Sequence, residues 1–181
     1  MSNNWELKGS EPLADLKLFR ARFDYMQNPR NGFTQKMIVL ESPDAANIVA
    51  LTKDQHLLFV NQYRFGISEA ILELPGGLVD AGESHELAAA RELKEETGYT
   101  GEKWQYLGKI PSNPVFMTNW IHHWLAEEVE CTSALHLDDG EALEVVKMPL
   151  AEVRSRLLAG HFMHPHTVNA LLLFFAKMKT F

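Results

Sequence analysis

Residues 77 to 99, Gly-Leu-Val-Asp-Ala-Gly-Glu-Ser-His-Glu-Leu-Ala-Ala-Ala-Arg-Glu-Leu-Lys-Glu-Glu-Thr-Gly-Tyr, decide how the rest of the chain is read. Ser84 is an N-cap residue, Glu86 adds negative charge to the turn that follows, and Gly98 is placed to end the helix between them. Glu92, Glu95 and Glu96 are i, i+3 and i+4 neighbours on that helix, so they share one face, while Glu83 stands on the turn before it. Leu87, Ala90 and Leu93 are expected on the other side, packed on a sheet, with the carboxylates converging in front.

Like charges at these spacings repel. Solvent together with Arg91 and Lys94 is one form of relief. A hard divalent cation is another, because it favours carboxylate oxygens and keeps waters that a phosphate can displace. The helix alone leaves both open.

Composition narrows the partners. The chain has 181 residues, 46% of them hydrophobic and 23% charged, enough for one domain with a real core. A formal charge of −7 argues against nucleic acid or an anionic membrane as the main partner. Cys131 is the only cysteine, so an intrachain disulfide is excluded. The N-terminal residues lack the apolar core of a signal peptide, and no apolar run reaches spanning length. The expected location is the cytoplasm.

Along the chain, residues 17–26 alternate with Phe19, Ala21, Phe23 and Tyr25 on one side. The turn chemistry of residues 28–32 and a strand at Met37 to Glu41 complete a β-meander over about 17–42. Ile48 to Thr52 and Leu57 to Tyr63 form a hairpin around residues 53–55. Ala70 to Leu74 is a strand running into Pro75-Gly76-Gly77. Further strands are read at Trp104 to Leu107, Trp120 to Val129 and Leu143 to Met148, and helices at Leu150 to Leu158 and Thr167 to Lys177. There is no repeat, linker or low-complexity segment, so residues 1–181 read as a single domain of α+β class, a mixed sheet between helices.

The full spacing adds a family. Gly77, five residues, Glu83, seven residues, Arg91-Glu92-Leu93, one residue, Glu95-Glu96, one residue, Gly98 and Tyr99 match the Nudix box, with Tyr99 where an aliphatic residue is usual. The chain resembles a Nudix hydrolase, which implies an α/β/α sandwich with a mixed central sheet and, here, an N-terminal antiparallel β extension. Asn61-Gln62-Tyr63-Arg64, Glu73-Leu74-Pro75 and Pro114, fifteen residues after Tyr99, resemble the ADP-ribose pyrophosphatase and nucleoside-diphosphate-sugar branch. Ser112-Asn113-Pro114 with Phe116-Met117 looks like that branch's substrate-side loop.

This resemblance implies Mg²⁺-dependent hydrolysis of the pyrophosphate bond of ADP-ribose or GDP-mannose, with Mn²⁺ as a substitute ion. Glu92 and Glu96, helped by the Gly76 carbonyl, are the expected metal donors. Arg91 is expected to orient the glutamates and Glu83 to buttress the loop. Glu141, in the loop of residues 137–141, is the favoured general base or closing metal ligand, with Asp139 and Glu95 as rivals. Tyr25, Arg64, Glu73, Pro114 and Met117 are the expected substrate-binding residues. Arg64 offers a planar fork for phosphate, and Glu73 is left between binding metal, holding Arg64 and touching substrate. Phe23, Tyr25 and Phe33 are candidates for stacking a base, with a place in the core as the alternative. In this branch the N-terminal strands often complete the neighbouring subunit's pocket, which implies a homodimer.

His122 and His123 face opposite sides of a strand and read as structural. His166 is a candidate substrate hydrogen-bond donor. The rivals are a Nudix specificity for dinucleoside polyphosphates or NADH and, from another class, a ligand-sensing Nudix domain without catalysis. The complete box and the lack of a basic helix-turn-helix segment weigh against the sensor.

Overall fold

The computed structural model describes residues 4–137, 140 and 142–178, and the chain divides into two compact units. The first, residues 1–43 and 111–120, is built on an antiparallel sheet of β1 (Glu6–Asp15), β2 (Arg20–Gln27) and β3 (Thr34–Glu41). The expected meander therefore gains a strand at its start. Glu6–Asp15 is polar, holds Gly9 and Pro12, and is exposed at nearly every position. It lacks the apolar alternation that identifies a strand, and its pairing with the whole of β2 is what makes it one. On this sheet the Lys36 ammonium sits 4.0 Å from the centre of the Phe23 ring and binds Glu11, which also accepts a 2.7 Å hydrogen bond from the Tyr25 hydroxyl. Both aromatic residues are thus engaged within the sheet, while Phe33 is exposed.

The second unit, residues 44–110 and 121–181, holds a mixed sheet. Its strands are β4 (Ala45–Thr52), β5 (His56–Arg64), β6 (Glu69–Glu73), β7 (Gly76–Leu78), β8 (Tyr99–Thr100), β9 (Lys103–Pro111), β10 (Trp120–Cys131) and β11 (Leu143–Pro149). Strands β4 and β10 run parallel, whereas β5 pairs antiparallel with β11. Strands β4 and β5 meet only at Leu51 and Leu57; beyond that point β6 takes the free edge of β5 and β7 that of β4. The Leu74-Pro75 step between β6 and β7 lies in this split.

Helix α1 (His85–Thr97) covers one face of the sheet, with Ala88, Ala89 and Leu93 against Ala46, Ile48, Ala50, Trp124 and Ala126. Helices α2 (Leu150–Leu158) and α3 (Pro165–Lys177) cover the other, where Val153, Ala170, Leu171 and Phe174 meet Val49, Leu51, Phe59 and Leu125. The two sets alternate along β4 as the period of two requires. No helix among the described residues is long and apolar enough to cross a membrane.

Helix α1 begins and ends where the sequence predicts. The Ser84 hydroxyl accepts from the Leu87 amide at 3.2 Å, and Gly98 takes the left-handed conformation with φ 74°. Its buried side, however, differs from expectation. Leu93 is buried, but Leu87 is 63% exposed and Ala90 is exposed too. At about 100° per residue, Leu87 falls almost opposite Ala89 and Leu93, whereas Glu92 and Glu96 lie along the stripe those two define. The carboxylates flank the packed face and do not stand across from it.

Candidate active site

Glu96 is only 3% exposed. Its Oε2 accepts a 2.8 Å hydrogen bond from the Gly76 amide, joining the helix to the first residue of β7. Glu92 approaches the next residue, since a Cβ at position 77 would collide with the Glu92 carboxylate. A side chain at 77 would push the Glu92 carboxylate aside, so glycine there leaves room for it. Gly76 has φ 156°, and a side chain there would strike the Ala46 carbonyl oxygen. Two glycines thus bring two carboxylates against one strand end.

Arg91 binds this group together. Its Nε and Nη2 donate to the two oxygens of Glu83 at 3.1 and 3.0 Å. Nη1 donates to Glu92 at 2.8 Å and Glu95 at 3.1 Å, and Nη2 also to the Leu78 carbonyl at 3.0 Å. A planar fork suits this task where an ammonium would not. The guanidinium holds the Glu83 carboxyl below its ordinary range, and the carboxylates, Glu83 foremost, raise the pKa of Arg91. Arg91 therefore supplies relief for Glu83, Glu92 and Glu95, and a backbone N–H is paired with Glu96.

The divalent cation implied by the resemblance can be tested on these donors. Among the described residues, no three His, Cys, Asp or Glu side chains are grouped to enclose an ion by themselves. Two carboxylates beside a backbone turn form an incomplete, all-oxygen donor set. That suits a hard ion that keeps waters and shares substrate phosphates, and it does not suit a closed zinc site. The residues fit such an ion.

Beside the start of α3, Arg64 and Glu73 form a two-pronged pair, with Nε and Nη2 each 2.6 Å from a carboxylate oxygen. Glu73 is 1% exposed, and His164 Nδ1 stands 3.4 Å from its Oε2. Of the three roles left open for Glu73, the one the structure displays is holding Arg64. The same His164 nitrogen is 3.2 Å from the Thr167 hydroxyl, which accepts from the Leu74 amide at 3.0 Å.

Pro114 and Met117 lie on the segment of residues 111–120, which pairs with β3 through Leu40 N to Phe116 O at 2.7 Å. Pro114 and Val115 line an apolar groove with Trp5, Met37 and Ile38. Tyr25 is held by Glu11, as described. Glu141 and its rival Asp139 lie outside the described residues. Glu95, with 41% of its side chain exposed, remains beside Arg91.

His122 and His123 do face opposite ways. The His122 ring stacks 3.9 Å from that of His85 and bridges the Tyr106 hydroxyl and the Asp44 carboxylate at 3.0 and 3.1 Å. His85 is the first residue of α1, so this network anchors the box helix. Sequence reading missed Asp44 and Asn47 because the strand was begun at Ile48. The clue available was a polar residue inside the apolar run of residues 45–51.

Comparison with known proteins agrees with this geometry. Residues 41–169 match the NUDIX domain family. An ADP-ribose pyrophosphatase of Mycobacterium tuberculosis is 31% identical over 172 residues, covering 94% of this chain and 83% of that one. The methanol dehydrogenase activator of Bacillus methanolicus is 30% identical over 163 residues, covering 90% and 88%. A crystal structure of an ADP compounds hydrolase superposes with a TM-score of 0.84 at 29% identity, covering 97% and 94%.

Proposed function

The chain belongs to the Nudix family of hydrolases acting on pyrophosphate bonds, and from that premise we propose that it cleaves nucleoside diphosphate sugars, ADP-ribose first among them. The observation that carries this reading is the convergence of Glu92 and Glu96 on the Gly76-Gly77 turn, with Arg91 as the common anchor. The pyrophosphatase and ADP compounds hydrolase relatives favour an adenosine diphosphate derivative; GDP-mannose stands second.

Family members use divalent metal ions, and Mg²⁺, with Mn²⁺ able to replace it, is the ion proposed here. Glu92, Glu96 and the Gly76 carbonyl would hold it. When bound, such an ion neutralises charge building up on the diphosphate and acidifies water to a nucleophile near neutral pH. The remaining work falls to the chain. Arg91 fixes the carboxylates of Glu83, Glu92 and Glu95, and the Glu96 carboxylate fixes the Gly76 amide. A carboxylate base accepts the proton of the attacking water. Glu141 is the proposed base, with Glu95 and Asp139 next. Water adds to one phosphorus, the bridging oxygen leaves with the other, and ADP-ribose yields AMP and ribose 5-phosphate. Tyr25, Arg64, Glu73, Pro114 and Met117 are proposed to contact substrate, with Arg64 oriented by Glu73. The N-terminal sheet is proposed to meet a second copy in a homodimer, which sedimentation would test.

The test is a Mg²⁺-dependent hydrolysis screen over ADP-ribose, GDP-mannose, ADP-glucose, UDP-glucose, NADH and diadenosine polyphosphates, with products identified. Nucleoside monophosphate plus sugar phosphate from one or two of the sugars is expected. Turnover of dinucleoside polyphosphates alone would overturn the substrate class, and tight binding without turnover would overturn the enzyme reading.

A further inference from the structure

The core between the sheet and α3 changes character at one level in every element that borders it. Along β4 the inward residues run Leu51, Val49, Asn47; along β10, Leu125, then His123. Along α3 they run Phe174, Leu171, Ala170, then Thr167 near the helix start, with His166 and His164 just before it. Asn47 and His123 are direct partners across parallel strands, and Asn47 is in turn the partner of Gly76 on β7. His123, Asn47 and Gly76 thus form one row across three strands, with the His123 and Asn47 side chains on the α3 side.

This layer is buried and incompletely satisfied. His123 is 0% exposed, and neither ring nitrogen has a hydrogen-bond partner within the protein; the same holds for Asn47 Oδ1 and His166 Nδ1. Asn47 Nδ2 donates to the Leu74 carbonyl at 3.4 Å, which fixes the amide so that Oδ1 is the atom left over. The His166 ring is close enough to depress the pKa of His123, an effect second to burial. Helix α3 starts beside this layer without a side-chain cap. Buried polar groups are rarely left without partners, because each costs its full desolvation.

The chemistry of these atoms selects the ligand. Asn47 Oδ1 can only accept, which excludes an anion. A neutral imidazole offers one donor and one acceptor. A molecule that both donates and accepts, and that is small enough for a closed interior, is water, which in such sites makes about three hydrogen bonds. We propose that Asn47, His123 and His166 enclose an internal water site behind the Leu74-Pro75-Gly76 turn, and that the bound water helps hold this turn in place. Direct bonds reach the turn from the same side, Asn47 Nδ2 to Leu74 O and Ile48 N to Pro75 O at 2.9 Å. From the other face Glu96 holds the Gly76 amide. The importance of the site for catalysis rests on the reading of Gly76 given above; the site itself does not.

Two measurements on the full-length protein test the proposal. A crystal structure at a resolution that shows ordered solvent should place at least one water within hydrogen-bond distance of two of Asn47 Oδ1, His123 and His166. A dry contact there, or a direct bond between the two rings, would overturn it. Amide hydrogen exchange reads the consequence. In Asn47→Leu the Gly76 amide should exchange about five- to tenfold faster, the equivalent of one net hydrogen bond, while the amides of β5 keep their rates. Unchanged exchange at Gly76 would overturn the positioning role. If Asn47→Leu does not fold, His123→Leu, which removes both ring nitrogens, carries the same test, and neither readout depends on metal or turnover.

Discussion

The two faces of the central sheet solve the same problem differently around one turn. On the α1 side, a single guanidinium and a backbone amide are the partners of the carboxylates. On the α3 side, buried Asn47 and His123 and partly buried His166 hold buried atoms with unfilled hydrogen-bonding capacity, near one buried carboxylate that has its own arginine. The first face is arranged to receive charge. The second is arranged to exclude it. The largest expected effects therefore belong to the first face in activity, and to the second in stability and pH response.

The most damaging change should be Glu96→Gln. It keeps the shape and an acceptor for the Gly76 amide but removes the charge, so structure should survive while hydrolysis falls by more than about a hundredfold, beyond what loss of a supporting partner causes. Steady-state rates at saturating Mg²⁺ check this, and wild-type turnover would sink the metal assignment. Next comes Arg91→Met, which deletes every bond to Glu83, Glu92 and Glu95. An outer partner of ligands typically contributes about 10- to 100-fold, and here the loss should show mainly as a higher Mg²⁺ midpoint. A loss in kcat alone would place Arg91 on the substrate instead.

These two predictions fall on the part of the molecule most legible in sequence. The box is contiguous, its spacing is helical, and one glycine lies where a Cβ would meet Glu92, so order along the chain is nearly order in space. The hairpin at residues 53–55 and the caps of α1 were legible for the same local reason. What was not legible depended on partners far along the chain. Leu87 looks like a core residue until the sheet edge is known, and Glu6–Asp15 becomes a strand only through β2. The α3-side layer draws on β4, β6, β10 and α3, and no spacing rule joins Asn47 to His123 or Glu73 to His164.

Arg64→Leu probes the ion pair beside the start of α3. It leaves the Glu73 carboxylate buried without its guanidinium, beside His164 and His166. Breaking a fully buried pair costs about 3–5 kcal/mol; because 44% of the Arg64 side chain is exposed, about 2 kcal/mol is expected. Denaturant unfolding measures it, and a loss within error of zero would mean that Glu73 is held by other groups.

The smallest effect, and the sharpest separation of the two faces, is in pH. Burial lowers His123 and His164 from the ordinary histidine value of 6.5 to about 4. Each is neutral in the folded protein over a range where the unfolded chain takes up a proton, so the unfolded state binds more protons between those values. Stability is then complete above pH 6.5 and declines as pH falls toward 4. Glu83 behaves otherwise. Its folded pKa is lowered from 4.5 by Arg91, so its contribution is present above 4.5 and is lost only below it. The melting temperature should accordingly decline in two stages, first the α3 face and then the box. His123→Leu should shrink the first stage, which His164 shares, and leave the second, whereas Glu83→Gln should shrink the second, which Asp24 and Asp54 share, and leave the first. A melting temperature that stays level from pH 6.5 to 4.5 in the wild type would show that the buried histidines gain protons without cost, and the contrast between the two faces would then rest on geometry alone.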